Sequence, residues 1–183
     1  VVYRDSLLQF ARRKDSSVIF GGKLQSDAYL SFIVRELKPY IDRTYSTYTD
    51  YRHTFIAGSS MGGMISLYAI CEYPEVFGGA ACLSTHWPGV FPDKDNPVPA
   101  VFLSYMQKHL PKDGQHKLYF DHGDQTLDAL YPPLQQQVDQ LMRQLQYPPT
   151  LWQSRFFPGA DHSELAWAQR LDIPLQFLLA PTP

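Results

Sequence analysis

Apolar positions along the chain follow two rhythms. Short runs of strand length end in turn-forming residues: Thr54-Phe55-Ile56-Ala57, Gly79-Ala80-Ala81-Cys82-Leu83-Ser84, Lys117-Leu118-Tyr119-Phe120, and Leu151-Trp152 through to Phe157. Between them, apolar residues recur at spacings of three and four, the period of a helix face. Leu30, Ile33, Val34, Leu37 and Ile41 form one such series, and Met61, Met64, Ile65, Tyr68 and Cys71 a second. Leu103, Met106 and Leu110 form a third, and Leu134, Val138, Leu141 and Leu145 a fourth.

The pattern predicts strands over 54–57, 79–84, 117–121 and 151–157. It predicts a helix from Asp27 to Tyr45, capped by Ser26 or Asp27 and bent at Pro39. Further helices are expected after Ser60, around 103–110 and over 134–145. Val1-Val2-Tyr3 and Ser17-Val18-Ile19-Phe20 read as two more short strands. Strands alternating with helices, with nothing hairpin-like between them, predict an α/β fold with a mainly parallel sheet flanked by helices. No internal repeat interrupts it, and residues 1–183 read as a single domain.

Composition narrows the function classes. The 183 residues are 44% hydrophobic and 19% charged, which suits a folded domain rather than a disordered one. A net charge of −2 with no long basic run argues against nucleic acid as a partner. No apolar stretch approaches membrane-spanning length. Cys71 and Cys82 fall in a predicted helix and a predicted strand, so buried free thiols are expected rather than a disulfide. Localisation stays open.

The chemistry centres on Gly58-Ser59-Ser60-Met61-Gly62, a G-x-S-x-G pattern between a predicted strand and a predicted helix. A serine on so sharp a turn needs small residues two before and two after it, and the turn lifts its hydroxyl above the sheet edge. Ser60 is therefore the candidate nucleophile. The Met61 N–H, at the helix N-terminus, is the candidate oxyanion donor. In a parallel sheet the active groups gather beyond the carboxyl ends of the strands. Two further loops lie there, Asp121 to Asp128 and Asp161-His162. Their order along the chain is serine, acid, histidine. His162 is the candidate base; Asp124 or Asp128 could orient its second nitrogen, and Asp121 is expected to end the strand. His86 and Trp87, just past a strand end, are placed in the acyl or alcohol pocket. No His, Cys or carboxylate cluster has metal-ligand spacing, so no metal or organic cofactor is expected.

Gly58 to Gly63, Glu36-Leu37-Lys38-Pro39-Tyr40-Ile41 and Phe157-Pro158-Gly159-Ala160-Asp161-His162-Ser163-Glu164 resemble the esterase family of α/β hydrolases. That family takes in esterase D, ferric-enterobactin-esterase-like proteins and feruloyl or acetyl-xylan esterases. The resemblance runs from about Gly22 to Leu179. It implies an α/β-hydrolase fold with Ser60 as nucleophile and His162 as base. In many members the acid lies three residues after the glycine ending the corresponding strand. Counted from Gly123 that residue is Thr126, which cannot do the work. Gly123 to Asp128 looks like a branch with a longer turn, which favours Asp128 with Asp124 as runner-up. The family also has several strands before the helix matching Asp27–Tyr45, and an early loop that supplies a second oxyanion N–H. This chain starts too late for them: either it is a fragment of a longer protein or the fold is a shortened version whose second donor comes from elsewhere, and a sheet with an exposed edge, and self-association through it, is the expectation.

Two function classes follow. The first is a serine carboxylic-ester hydrolase working through an acyl-enzyme on a small-molecule, carbohydrate- or siderophore-type ester. The alternative is a non-catalytic α/β-hydrolase-like binding module, since fold does not fix function.

Overall fold

Residues 25–89 and 96–181 are described by the computed structural model of the chain. The strands expected at Val1–Tyr3 and Ser17–Phe20, and the middle of the loop from Trp87 to Pro99, lie outside these residues.

Among the described residues four strands carry the fold: β1 (Phe55–Ser59), β2 (Gly79–Leu83), β3 (Lys117–His122) and β4 (Trp152–Phe156). They lie side by side in chain order and every pair is parallel, as the alternation of strands and helices predicts. β2 and β3 are buried along their whole length. A strand covered on both faces has no reason to alternate polar and apolar residues, hence the unbroken runs in the sequence. At the carboxyl edge Ser59 pairs with Leu83, Leu83 with Asp121 and Asp121 with Arg155. The chain leaving β1, β2 and β4 is tied to a neighbouring strand: Ser60 N–H donates to the Leu83 carbonyl, Ser84 N–H to that of Asp121 and Phe157 N–H to that of His122, each at 2.9 Å.

The first helical stretch comprises α1 (Ser26–Phe32), a π-helical segment (Ile33–Leu37) and α2 (Lys38–Thr44). Pro39 has no N–H and its ring crowds the carbonyl four residues back. The wide turn directly before it relieves that conflict without ending the helix, so the expected bend takes the form of a π segment. Neither Ser26 nor Asp27 caps α1, whose N-cap is Gln25. Asp27 Oδ1 instead accepts from the Tyr68 hydroxyl at 2.8 Å and joins α1 to the helix that follows β1.

That helix, α3 (Met61–Glu72), departs from the expected one-sided pattern. Gly63, Met64 and Ser66 to Cys71 are all buried, whereas Met61, expected on the apolar face, is exposed. The other α-helices among the described residues are α4 (Val98–His109), α5 (Pro132–Gln144), α6 (Glu164–Ala168) and α7 (Asp172–Leu179). The sequence pattern did not predict α7. Its Pro174 sits in the first turn, where a missing N–H costs nothing.

The pleat divides the core into two clusters. Ala80, Cys82, Leu118 and Phe120 face the larger, with Leu30, Leu67, Ile70, Phe102, Tyr105 and Met142 from the helices. Ala81, Leu83 and Tyr119 face the smaller, closed by Leu178 of α7. Alternate residues of one strand thus serve opposite helical layers. Cys71 and Cys82 are buried free thiols, as expected. Among the described residues no helix is long and apolar enough to cross a membrane.

Candidate active site

Ser60 occupies the single residue between β1 and α3, with φ 56° and ψ −120°. This backbone conformation is strained for a residue with a Cβ and is held in place by its neighbours. Besides the bond to Leu83, the Ser60 carbonyl accepts from Gly63 N–H at 3.0 Å, Met64 N–H at 3.3 Å and His86 N–H at 3.2 Å. Tightness falls unequally on the two flanking glycines. A Cβ at Gly58 would stand 2.5 Å from the carbonyl carbon and oxygen of Gly62, whereas one at Gly62 would meet nothing within 4 Å. The steric demand expected on both sides of the serine lies on Gly58 alone.

The Ser60 hydroxyl lies 2.9 Å from His162 Nε2, and His162 Nδ1 lies 2.6 Å from Asp128 Oδ1. A carboxylate can only accept, so Nδ1 carries the proton toward Asp128 and Nε2 is left as the acceptor facing Ser60. The imidazole is gripped edge-on by two rings, Trp167 at 4.9 Å and Tyr131 at 5.6 Å between centroids. Asp128 is fully buried. Its second oxygen accepts from Gly123 N–H and from the Ser84 hydroxyl, each at 2.6 Å.

Two loops supply these groups and are laced together. Asp124 and Gln125 N–H donate to the Ala160 carbonyl at 3.1 and 3.0 Å. Gly159 N–H donates to Asp124 Oδ1 at 2.8 Å, and His162 N–H to Thr126 Oγ1 at 2.9 Å. The approach is so close that a Cβ at Gly123 would fall 2.0 Å from the Ala160 oxygen. Asp124, the runner-up for the acid, is thus a loop tie whose carboxyl is held below the usual range by the Gln125 amide and the Gly159 N–H. Thr126, left without a role in the sequence, holds the histidine's backbone.

Met61 begins α3, and its N–H belongs to the first turn, where no intrahelical acceptor exists. His86 stands beside the histidine's own neighbour, its Nδ1 2.7 Å from the Tyr131 hydroxyl. Trp87 is corrected. It is 3% exposed and packs against Phe102 and Phe120, with its Nε1–H on Gln135 Oε1 at 3.0 Å. Its polar tip is satisfied in the core by Gln135 rather than turned toward Ser60 and His162. Asp121 stands one residue before the end of β3, close to its expected place, fully buried and paired with Arg170. Sequence reasoning missed Ser84, Tyr131, Trp167 and Arg170. Of these only Ser84 carried a signal, as the polar residue closing an apolar strand.

Comparison with known proteins agrees with the fold. A family described as "Putative esterase" matches residues 10–178. The protein YbbA of Bacillus subtilis (strain 168), described as uncharacterized, is 32% identical over 78 residues, which make up 42% of this chain and 30% of that protein. A ferulic acid esterase superposes with a TM-score of 0.65 at 23% identity, covering 82% of this chain and 60% of its own. The enterochelin esterase of Shigella flexneri gives 0.65 at 21% identity, covering 84% of this chain and 37% of its own. The chain therefore spans less than two thirds of each of these relatives. A parallel sheet flanked by helices, an elbow serine at its carboxyl edge and a family match over most of the sequence place this chain in the esterase family of the α/β-hydrolase fold.

Proposed function

We propose that the chain is a serine carboxylic-ester hydrolase that works through an acyl-enzyme. One observation carries the reading: an unbroken line of hydrogen bonds from Ser60 through His162 to the buried Asp128. A serine hydroxyl is a weak nucleophile unless a base takes its proton, and a histidine is a reliable base only when its other nitrogen is oriented.

Ser60 Oγ attacks the ester carbonyl carbon while its proton passes to His162 Nε2. The carbonyl oxygen becomes an oxyanion, and the Met61 N–H is one donor to it. Collapse breaks the bond to the alcohol oxygen, which takes the proton from His162 and leaves. Water then attacks the acyl carbon, passing its proton to Nε2. The second tetrahedral species expels Ser60 Oγ, which recovers the proton, and the acid departs. His86 flanks the site and is the residue we assign to the rim of the substrate pocket. The solved relatives named above are esterases of ferulic acid and enterochelin by their titles, so esters of ferulic acid and enterochelin are the first to test.

The experiment is hydrolysis of p-nitrophenyl acetate with Ser60→Ala as control, together with labelling by a fluorophosphonate. Wild-type turnover and labelling that vanish in Ser60→Ala support the reading. A wild-type rate no higher than that of Ser60→Ala would leave the chain as a non-catalytic binding module.

A further inference from the structure

Behind Asp128 lies a second buried chain that this reaction does not use. Arg170, Asp121 and Ser84 are buried along with Asp128. Arg170 holds Asp121 with two groups, Nη2 to Oδ1 at 2.9 Å and Nε to Oδ2 at 3.3 Å. The same Nη2 donates to Ser84 Oγ at 2.9 Å, and the Trp167 indole N–H donates to that oxygen at 3.0 Å. The direction of the remaining bond is then forced. Guanidinium and indole N–H groups can only donate, and a hydroxyl has two lone pairs and one proton. With both lone pairs taken, the proton of Ser84 points to Asp128 Oδ2 at 2.6 Å. A hydroxyl that accepts from a cation is polarised and donates more strongly.

The backbone makes an independent case. Ser84 has φ 41°, a region where a residue with a Cβ is strained. Its N–H is pinned to Asp121 twice, to the carbonyl at 2.9 Å and to Oδ1 at 3.1 Å. Asp121 thus holds the main chain of the strained residue while Arg170 holds its hydroxyl. The arrangement is also costly. Arg170 Nη1 has no hydrogen-bond partner among the described residues, and its guanidinium carbon stands 4.9 Å over the Phe157 ring. For stability alone, two apolar residues would serve as well as a buried ion pair.

We propose that Arg170 is a positioning residue: acting through the Ser84 hydroxyl, it holds Asp128 in the orientation from which Oδ1 meets His162 Nδ1. This rests on the Ser60–His162–Asp128 reading above. Without Ser84's proton, Asp128 Oδ2 keeps only the Gly123 N–H and the carboxylate can swing away from the imidazole.

Two variants test it. Ser84→Gly deletes the hydroxyl, suits the positive φ and leaves the Arg170–Asp121 pair intact. Arg170→Lys keeps a buried cation for Asp121 but not the fork that also reaches Ser84. In both, kcat on p-nitrophenyl acetate should fall about ten- to a hundredfold, the scale of a misplaced catalytic group. KM should stay within about twofold, since ground-state binding is untouched. The urea midpoint of Ser84→Gly should change little, relief of the positive φ being offset by the acceptor lost to the Trp167 and Arg170 N–H groups. The far-downfield proton resonance of His162 Nδ1–H should be sharp in wild type and should broaden or move in both variants. That last readout needs no turnover, so it reads the positioning even if Ser60 hydrolyses no ester; failure of the esterase reading would show separately, in the Ser60→Ala comparison. An unmoved resonance in Ser84→Gly would overturn the proposal, whether kcat held or fell in step with stability.

Discussion

His162 meets Asp128 and not Asp124: its Nδ1 lies 2.6 Å from Asp128 Oδ1, while Asp124 Oδ1 is taken by the Gly159 N–H at 2.8 Å. The loop carries both aspartates to the same edge of the sheet but gives them opposite tasks. Asp128→Asn places an amide against the imidazole and favours the wrong tautomer, a change that costs about ten-thousand-fold in a serine protease. Asp124→Asn keeps an oxygen for Gly159. Side-by-side ester turnover should therefore show a loss of orders of magnitude for the first and almost none for the second. The reverse ranking would move the role to Asp124.

The two glycines of the elbow should part company on substitution. Gly58→Ala drives a Cβ into the backbone of Gly62, and overpacking of that kind costs about 1–3 kcal/mol or more. Low soluble yield or lost turnover is expected. Gly62→Ala meets open space and gains helix propensity, up to about 1 kcal/mol, or roughly 2–4 °C in Tm for a chain of this size. A melting curve for each variant decides it; a destabilised Gly62→Ala would contradict the geometry.

Cys71 and Cys82 should be silent toward thiol reagents in the native state. Burial pushes both thiols well above their ordinary value, and the thiolate is the reactive species. Ellman's reagent should count no fast-reacting thiol in the folded protein and two in urea. Prompt native labelling would mean that α3 opens more readily than its packing implies.

Lys117 caps the end of α7 from β3, donating from Nζ to the carbonyls of Phe177 at 3.2 Å, Leu178 at 3.1 Å and Ala180. Lys117→Met strands those carbonyls, at a cost of about 1–3 kcal/mol. Burial lowers the lysine's pKa in the folded protein. Between that lowered value and the ordinary one the unfolded chain binds the extra proton, so wild-type stability rises with pH in that window. The gap in urea midpoint between wild type and Lys117→Met should widen from pH 7 to pH 10. A gap that narrowed would show the ammonium form to be the preferred one in the fold.

The sequence made legible what depends on near neighbours. Strand length and the Gly58-x-Ser60-x-Gly62 turn are local, and the four described strands stand within a residue or two of their expected bounds, whereas the helix expected around 103–110 begins at Val98. Ser60 and His162 were reachable because each follows a strand end. Ser84 and Arg170 were not: their contact spans 86 positions and no short pattern encodes it. Trp87 misled for a related reason. A position just past a strand serves a pocket or the core equally well, and its place was decided by Gln135, on a helix 48 positions away.

Ser60 and Ser84 end neighbouring strands, and both hold a left-handed backbone, φ 56° and 41°. Glycine would adopt either conformation without the strain, which is worth roughly 1–3 kcal/mol at each position. Two selections run on one mutant library should therefore diverge at these codons. Screening for folded yield alone should draw position 60 toward glycine over successive rounds and leave position 84 free to drift. Screening for ester turnover should hold serine at both, at position 60 for its own hydroxyl and at position 84 for the hydroxyl it lends to Asp128.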